Sequence, residues 1–524
     1  MSDSYDAIPY QSIPFTDTHP ENLAALGRLF GLNTPDPARA RVLELGCASG
    51  GNLLPLAYYL PQGRYLGVEL SARQVQDGQR LIATLGLDNI RIEQADILAL
   101  DDTPDNTLGE FDYIIAHGVY SWVPPAVQAG ILDICARHLA PHGIAYISYN
   151  TWPGWHMRWG LRELLLRYTR DATSPGERLA RAQRLLQEFP AALEHSDTLP
   201  AQYLQSEIAR LREAHPSYLY HEYLEDINQP QYVSEFIATL ERHDLQYVCD
   251  ADLKSMFPSV LGAAAEQWLE PFEDLAEQEQ YLDYLVNRSF RQSLLCRADA
   301  ALGREIELEI LEQHAFYAAL QPPADLDLHS NAAQSFLKGK DKVISVSHPL
   351  AKAALVELHT RYPEALTYTE LAAAAAARVQ RSGNSGMAAD RDALLAELFM
   401  LFVHQAVGMT PLQRHPHTTV TARPCAHRLA RAQAATGVEH LATARHSIVL
   451  LDAFSRRLVG YLDGTREVAQ LQAQLTDDLL QRRLVLPNLK PATAEELRVQ
   501  VAANVQRFLA LFAREGLLAP AQSR

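Results

Sequence analysis

Cysteine, basic residues and long apolar runs are all scarce in this sequence. The five cysteines among 524 residues are widely spaced and form no CxxC pair, which argues against a disulfide framework or a zinc site. The first fifteen residues are polar and acidic, unlike a signal peptide, and no apolar run is long enough to span a membrane. We therefore expect no metal, no membrane insertion and a cytoplasmic location.

Positive charge is also in deficit. Lysine and arginine total 46 against 63 acidic residues, so the formal net charge is −17. Nucleic-acid binding depends on cationic contacts with phosphates, and the sequence has no Lys/Arg run that would form a basic groove. We predict no nucleic-acid partner, whereas a basic substrate would be attracted by this charge.

What the sequence does contain is a regular alternation of strands and helices in its first third. Hydrophobic residues make up 48% of the chain, which is enough for several cores. Such an alternation indicates an α/β fold with a doubly wound, Rossmann-like parallel sheet. The predicted strands are Arg41–Leu45, Tyr65–Glu69, Ile90–Gln94, Tyr113–Ala116 and Ile144–Tyr149.

Beyond the fifth strand the pattern becomes mainly helical. We predict that the sheet resumes near residue 231, with Tyr247 and Leu294 on its added strands, and that a helical insertion precedes it. Lys338–Ser347 is interpreted as a hairpin followed by helices, a winged-helix-like arrangement. The predicted regions are an arm (1–40), a cofactor-binding core (41–156), the insertion (157–230), completion of the core (231–300) and two mainly α, winged-helix-like domains (301–410 and 411–524).

A glycine-rich loop joins the first strand to the next helix. The stretch Glu44-Leu45-Gly46-Cys47-Ala48-Ser49-Gly50-Gly51-Asn52 brings backbone close to a ligand, a device that NAD and S-adenosylmethionine sites share. Three acids at strand ends favour S-adenosylmethionine. Glu44 suits the ammonium group of its methionine part but would repel a pyrophosphate. Glu69 can accept bonds from both ribose hydroxyls, and Asp96 from the adenine amino group, with Ile97 against the ring.

The glycine-loop stretch resembles motif I of class I methyltransferases. Further stretches resemble a narrower bacterial group, the methyltransferases with a methyltransferase regulatory domain. They are Tyr5-Asp6, Pro9-Tyr10, Pro14-Phe15, Thr18-His19-Pro20, His117–Pro124, Ser148–Arg158, Tyr220–Glu225 and Tyr281–Gln292. The resemblance covers residues 1–300 well and the rest loosely. This group includes enzymes similar to rickettsial protein-lysine methyltransferases that modify outer-membrane proteins, which implies a protein lysine as the acceptor.

The resemblance assigns the glycine loop, Glu69 and Asp96 to the cofactor, and it places His117 and Gly118 beside the methionine end. We expect the cofactor S-adenosylmethionine to be bound by Glu44, Gly46, Cys47, Ala48, Ser49, Gly50, Asn52, Glu69, Leu70, Ser71, Gln74, Ala95, Asp96, Ile97, His117 and Gly118.

The methyl acceptor is expected at the ends of the fourth and fifth strands. A lysine must lose a proton before it can attack, and a desolvated aromatic pocket lowers its pKa from about 10.4. We predict that Tyr120, Trp122, Tyr149 and Asn150 form the pocket wall, with Trp155 and His156 as second choices. Asn150 could accept a hydrogen bond from the amine.

Several alternatives stay open. Tyr5 and Tyr10 either close over the cofactor or only tether the arm, and His221-Glu222 is interpreted as a helix surface or insertion contact without metal. The chain acts on protein lysine, or on a small molecule with its C-terminal half as a dimerisation module, or it senses S-adenosylmethionine without catalysis. The C-terminal domains could bind an extended peptide or form a homodimer. Substrate identity and methyl number do not follow from the sequence.

Overall fold

The computed structural model describes residues 2–100, 108–339, 342–383, 390–413, 415–486 and 493–520. Its centre is one seven-stranded sheet in the order β3-β2-β1-β4-β5-β7-β6. The strands are β1 (Arg41–Leu45), β2 (Arg64–Glu69), β3 (Ile90–Gln94), β4 (Phe111–Ala116), β5 (Leu139–Asn150), β6 (Leu245–Asp250) and β7 (Phe290–Arg297).

The five N-terminal strands are parallel, as their alternation with helices predicts. The flanking helices are α1 (Ser2–Ala7), α2 (Pro20–Leu29), α3 (Leu53–Tyr59), α4 (Ala72–Leu85) and α5 (Pro125–His138). Strands β1 and β4 are almost wholly buried because helices cover both faces of the sheet. Their carboxyl ends therefore meet at one edge, where a ligand can approach.

The last two strands run antiparallel to their neighbours. Leu294 of β7 pairs with Tyr146 of β5, and Tyr247 of β6 pairs with Leu295. Both Tyr247 and Leu294 thus lie in the first sheet, as predicted, but the sheet is mixed and not wholly parallel. The elements around these strands are helices α10 (Val233–Arg242), α11 (Ala263–Leu269) and α12 (Leu275–Val286).

Four helices form the insertion between β5 and α10. They are α6 (Gly154–Thr169), α7 (Pro175–Ala192), α8 (Leu199–Glu213) and α9 (Pro216–Tyr223). These helices bury a core of their own, which includes Leu161, Leu186 and Leu211. Because α6 begins directly after β5, the insertion stands beside the carboxyl edge of the sheet.

The next region shares a hydrophobic core with α2 and the sheet. Its elements are β8 (Ala315–Tyr317), β9 (Gln334–Lys338), β10 (Lys342–Val346), α13 (Pro349–Arg361), β11 (Leu366–Thr367), α14 (Tyr368–Arg381), α15 (Arg391–Val403) and β12 (Gly408–Thr410). The predicted hairpin at Lys338–Ser347 exists, but its first strand lies earlier, at Gln334–Lys338. The polar alternation of that strand concealed it within turn-rich sequence.

The C-terminal region has a separate core that includes Leu458, Leu475 and Leu509. Its elements are β13 (Cys425–Ala426), α16 (Arg428–Thr436), β14 (His440–Ala442), β15 (Ile448–Leu450), α17 (Ala453–Tyr461), α18 (Val468–Leu480), α19 (Ala494–Arg514) and β16 (Leu518–Ala519). In the part of the chain that the structure describes, no helix is both long and apolar enough to cross a membrane.

Candidate functional site

A cavity of about 690 Å³ opens at the carboxyl ends of the parallel strands. Its size is that of a small-molecule site. Fourteen of the sixteen predicted cofactor residues line it: Glu44, Gly46, Cys47, Ala48, Asn52, Glu69, Leu70, Ser71, Gln74, Ala95, Asp96, Ile97, His117 and Gly118. Residues distant in sequence therefore come together where the sheet topology predicts a ligand.

The glycine loop brings backbone to this cavity. Gly46 adopts φ 71°, and a Cβ there would collide with Val119. A Cβ on Gly51 would collide with the backbone of Ser12. Ala48 also takes a left-handed φ of 50°, a strained conformation that often marks a functional turn.

Ser49 and Gly50, the other two predicted cofactor residues, are not among the residues that line the cavity. The backbone of Ser49 faces Gly78 of α4, and a Cβ on Gly50 would meet Ile92 of β3. The loop turns these two residues toward the packed helix and strand, and their contact with the cofactor stays a prediction.

Glu69, at the end of β2, is held by the backbone of the glycine loop. Its Oε2 accepts from the Ala48 N–H at 3.0 Å and its Oε1 from the Ser71 N–H at 2.9 Å. Burial raises the pKa of its carboxyl, while these backbone donors oppose the rise. Each oxygen keeps capacity for another donor, so the carboxylate can accept from two ribose hydroxyls.

Glu44 provides the observation that tests the fit of a cationic ligand. Its Oε1 accepts from Asn52 Nδ2 at 2.9 Å, and its Oε2 is buried without a hydrogen-bond partner in the described structure. Burial raises the pKa of this carboxyl to about 8. A buried, unsatisfied carboxylate oxygen is unfavourable by itself and fits the ammonium group of S-adenosylmethionine.

Asp96 combines two functions that the sequence could not separate. Its Oδ1 accepts from the Leu98 N–H at 3.0 Å and begins the short 3-10 turn Ile97–Ala99. The residue lines the cavity together with Ile97. Asp96 is therefore both a turn-initiating residue and an acceptor available at the cavity wall.

His117 lies where β4 ends and packs against Phe15, with the rings tilted by 34° and their centroids 3.8 Å apart. Its Nδ1 is 2.9 Å from the Tyr146 hydroxyl, which in turn accepts from Gln292 Nε2 at 2.8 Å. Burial lowers the pKa of His117 to about 4, so the ring is neutral at pH 7.

The N-terminal arm covers one side of the cavity. Tyr5 stacks on His221 of α9 at 4.5 Å between centroids, and Tyr10 packs against the same ring at 5.6 Å. His221 Nε2 donates to the Ile8 carbonyl at 2.6 Å. Asp6 Oδ1 accepts from the Ser71 hydroxyl at 2.5 Å. Tyr5 and Tyr10 both line the cavity, so the arm closes over the site and is also tethered there.

Glu222 also lines the cavity, while its neighbour His221 makes a contact between the insertion and the arm, one of the two roles expected for this pair. Burial raises the pKa of Glu222 to about 7, against the opposing effect of Arg158 and two further arginines. Burial, and then the charge of Glu222, raise the pKa of Tyr10 and Tyr218. The carboxylate is thus surrounded by tyrosines at the insertion side of the cavity.

Of the six acceptor-pocket candidates, two are at the cavity wall. Trp122 and Asn150 line it. Asn150 Nδ2 donates to Asn228 Oδ1 at 2.9 Å, so the side-chain oxygen Oδ1 of Asn150 is the atom left to accept from a ligand. Trp122 packs edge-on against the buried Trp155, which lies behind the lining.

The other three predictions need correction. Tyr120 and Tyr149 point to the opposite face of the sheet, where both rings pack on Phe236 in the core. Strand alternation explains this placement of Tyr149, since Asn150 faces the cavity and its neighbour must face away. His156 lies outside the cavity, stacked on Trp152 at 4.1 Å.

Sequence reasoning gave no role to several lining residues, which come from four distant segments. Besides Glu222, the lining includes Phe15, Arg158, Tyr218 and Phe290. All but Tyr218 fall within stretches that carry the family resemblance. The resemblance therefore identified these segments but assigned no role to the residues. Among the residues the structure describes, no group of three or more His, Cys, Asp or Glu could hold a metal.

Three family models match the chain. They are a methyltransferase domain over residues 43–145, a predicted methyltransferase regulatory domain over 215–297 and a PKMT C-terminal winged helix domain over 422–517. The first contains the glycine loop, the second contains Glu222, and the third covers most of the C-terminal region.

Similar proteins span nearly the whole chain. An uncharacterized protein of Rickettsia prowazekii, RP789, is 31% identical over 98% of this chain and 93% of its own length. The structure of PKMT2 from Rickettsia typhi matches with a TM-score of 0.85 at 28% identity, over 98% of this chain and all of that one. The same protein in complex with AdoHcy matches with a TM-score of 0.84.

A shorter likeness covers about a fifth of the chain. Trans-aconitate 2-methyltransferase from Methylobacterium nodulans is 32% identical over 21% of this chain and 38% of its own. From the methyltransferase domain model and the similar structure in complex with AdoHcy, the cofactor of this chain is S-adenosylmethionine.

Proposed function

Because the chain belongs to the family of S-adenosylmethionine-dependent methyltransferases with a methyltransferase regulatory domain, we propose that it methylates a lysine side chain of a protein. The single observation that carries the proposal is the acidic, tyrosine-lined end of the cavity, where Glu222 lies among Tyr5, Tyr10 and Tyr218. Aromatic faces and a carboxylate together attract an ammonium group.

The cofactor itself, and not the protein, supplies most of the chemistry. S-adenosylmethionine supplies a methyl group on a sulfonium, which an amine can displace directly. The protein must therefore hold the acceptor nitrogen in line with that group and exclude water. Phe15, Tyr5 and Trp122 supply the apolar walls for this task.

Proton removal is the step that a lysine acceptor adds. In our proposal the ammonium group passes one proton to Glu222, and the freed lone pair forms the new N–C bond as the S–C bond breaks. Burial raises the pKa of Glu222 to about 7, and a desolvated pocket lowers that of the entering lysine. The two values approach each other, which general base catalysis requires. Asn150 is proposed to orient the amine through its carbonyl oxygen.

A second cavity supports a macromolecular acceptor. This cavity of about 430 Å³ is more open to solvent and lies between the arm and the ends of α8 and α9. Five residues line both cavities: Tyr10, Gln11, Ile13, Phe15 and Tyr218. A long side chain could reach the cofactor along this path while its own backbone stays at the surface.

The alternative is a small-molecule acceptor. The likeness to trans-aconitate 2-methyltransferase favours it, but that likeness reaches only 21% of the chain. The insertion residue Glu222 lies outside the region matched by the methyltransferase domain model. Four acids line the cavity (Glu44, Glu69, Asp96 and Glu222) against one arginine, Arg158. This excess of carboxylates would repel a polyacid such as aconitate, so the charge of the cavity favours the lysine.

The test is methyl transfer from labelled S-adenosylmethionine to a denatured bacterial protein extract and to its small-molecule fraction, followed by mass spectrometry of labelled peptides. We expect methyllysine in the protein fraction, and loss of that signal when the extract is first reductively dimethylated. Label in metabolites alone would establish the small-molecule alternative. Cofactor binding without transfer to either fraction would leave only a sensing role.

A further inference from the structure

A side chain of the C-terminal region contacts a residue that lines the cofactor cavity. His446 lies in the turn between β14 and β15 and is buried. Its Nε2 is 2.7 Å from Oδ1 of Asn52, a residue 394 positions earlier in the chain. Asn52 follows the glycine loop and lines the cavity, so the two ends of the molecule meet at this contact.

Asn52 relays the contact to Glu44. Its Oδ1 also accepts from the Phe15 N–H and from the Thr18 hydroxyl, both at 3.0 Å, while its Nδ2 donates to Glu44 Oε1 at 2.9 Å. These partners fix the orientation of the Asn52 amide. A flipped amide would place its NH₂ group against other donors and its oxygen against the Glu44 carboxylate. His446 must therefore carry a proton on Nε2.

The turn that carries His446 is built to hold it. His446 adopts a left-handed φ of 59°, which is uncommon for a residue other than glycine. Its N–H donates to the Thr443 carbonyl at 3.0 Å, and its own carbonyl accepts from the Thr16 hydroxyl at 3.1 Å. Unusual backbone maintained by surrounding contacts is a reason to look for function.

From this geometry we infer that His446 is a positioning residue for the cofactor, acting through Asn52 on Glu44. The buried Glu44 carboxylate has one oxygen occupied by Asn52 and the other without a partner in the described structure. That second oxygen is the one expected to receive the ammonium group. The C-terminal region thus completes the cofactor site, whatever acceptor the cavity takes.

The test compares two ligands that differ at the methionine end. S-adenosylhomocysteine carries the amino-acid group and 5′-methylthioadenosine lacks it. Calorimetric titration of the full chain with each ligand is done for the wild type, His446→Ala and His446→Gln. We expect His446→Ala to weaken S-adenosylhomocysteine binding by about 5- to 30-fold and to change methylthioadenosine binding by less than about twofold, because His446 acts only through Glu44. His446→Gln keeps an N–H donor and should recover most of the affinity.

Leu450→Ala is the matched control, because Leu450 lies on the same hairpin and is 72% exposed. It should leave both affinities unchanged. Equal weakening of both ligands by His446→Ala would show only a loosened fold and would overturn the inference, as would unchanged binding of S-adenosylhomocysteine. Since both readouts are cofactor affinities, neither depends on whether the acceptor is a lysine.

Discussion

The two ends of the main cavity are specified by the sequence in different ways. At the cofactor end, Glu44, Glu69 and Asp96 lie at or just beyond the carboxyl ends of the neighbouring strands β1, β2 and β3, so the topology alone brings them together. At the acceptor end, Tyr5, Tyr218 and Glu222 come from the arm and the insertion, and only tertiary packing assembles them. A ligand site can therefore be predicted from the sequence where secondary structure positions its residues. Where long-range packing assembles the residues, the sequence alone does not predict the site.

The largest expected effect lies at the cofactor end. Glu69→Ala should weaken S-adenosylhomocysteine binding by about 100-fold or more, because two hydrogen bonds to a charged acceptor are lost. Calorimetry measures the change, and the exposed strand residue Glu93 provides the control Glu93→Ala. Retained affinity in Glu69→Ala would remove the basis for the ribose assignment.

At the acceptor end the expected effect is on turnover. Glu222→Gln should lower kcat by about 100-fold through loss of the base. In the wild type, kcat/KM should rise with pH through about 7, since burial raises the pKa of Glu222 in the free protein to that value and only the carboxylate accepts a proton. Steady-state methyl transfer to a lysine-containing polypeptide measures both, with Glu163→Gln on the exposed face of α6 as the matched control. A pH profile that Glu222→Gln leaves unaltered would contradict the role.

A smaller effect sharpens the cofactor end further. Burial raises the pKa of Glu44 to about 8, so below that pH the free protein holds a proton that it must release to pair with the ammonium group. Affinity for S-adenosylhomocysteine should therefore increase from pH 6 to pH 8, by up to about tenfold per pH unit. Titrations at pH 6, 7 and 8 test this. Glu44→Gln should show no such dependence, and a flat wild-type profile would be the contrary result.

The smallest effect concerns a residue that the sequence placed in the wrong region. Tyr149→Phe removes a hydroxyl 3.3 Å from Ser293 Oγ in the core. We expect about 1 kcal/mol or less of lost stability and no change in kcat, measured by urea unfolding and by methyl transfer. A large fall in kcat at unchanged stability would support the original assignment of Tyr149 to the acceptor pocket.

The balance between correct and incorrect predictions follows from the same contrast. The alternation of strands and helices predicted the sheet, and the return of Tyr247 and Leu294 to it was also correct. The faces of a strand were harder to assign, since Tyr149 and Asn150 are neighbours and only one can meet the cavity. The contact between His446 and Asn52 spans 394 residues and has no local pattern, so no single-sequence argument could have found it.

The central claim is that different residues form the cofactor end and the acceptor end of the main cavity. Titration of S-adenosylhomocysteine into Glu222→Gln tests it most directly. Our account predicts that Glu222→Gln binds S-adenosylhomocysteine with the wild-type affinity within about twofold. Glu222 contacts the acceptor, and its substitution leaves the distant cofactor contacts unchanged. A loss as large as that of Glu69→Ala would contradict the account, because Glu222 would then belong to the cofactor site and the acceptor end would have no base.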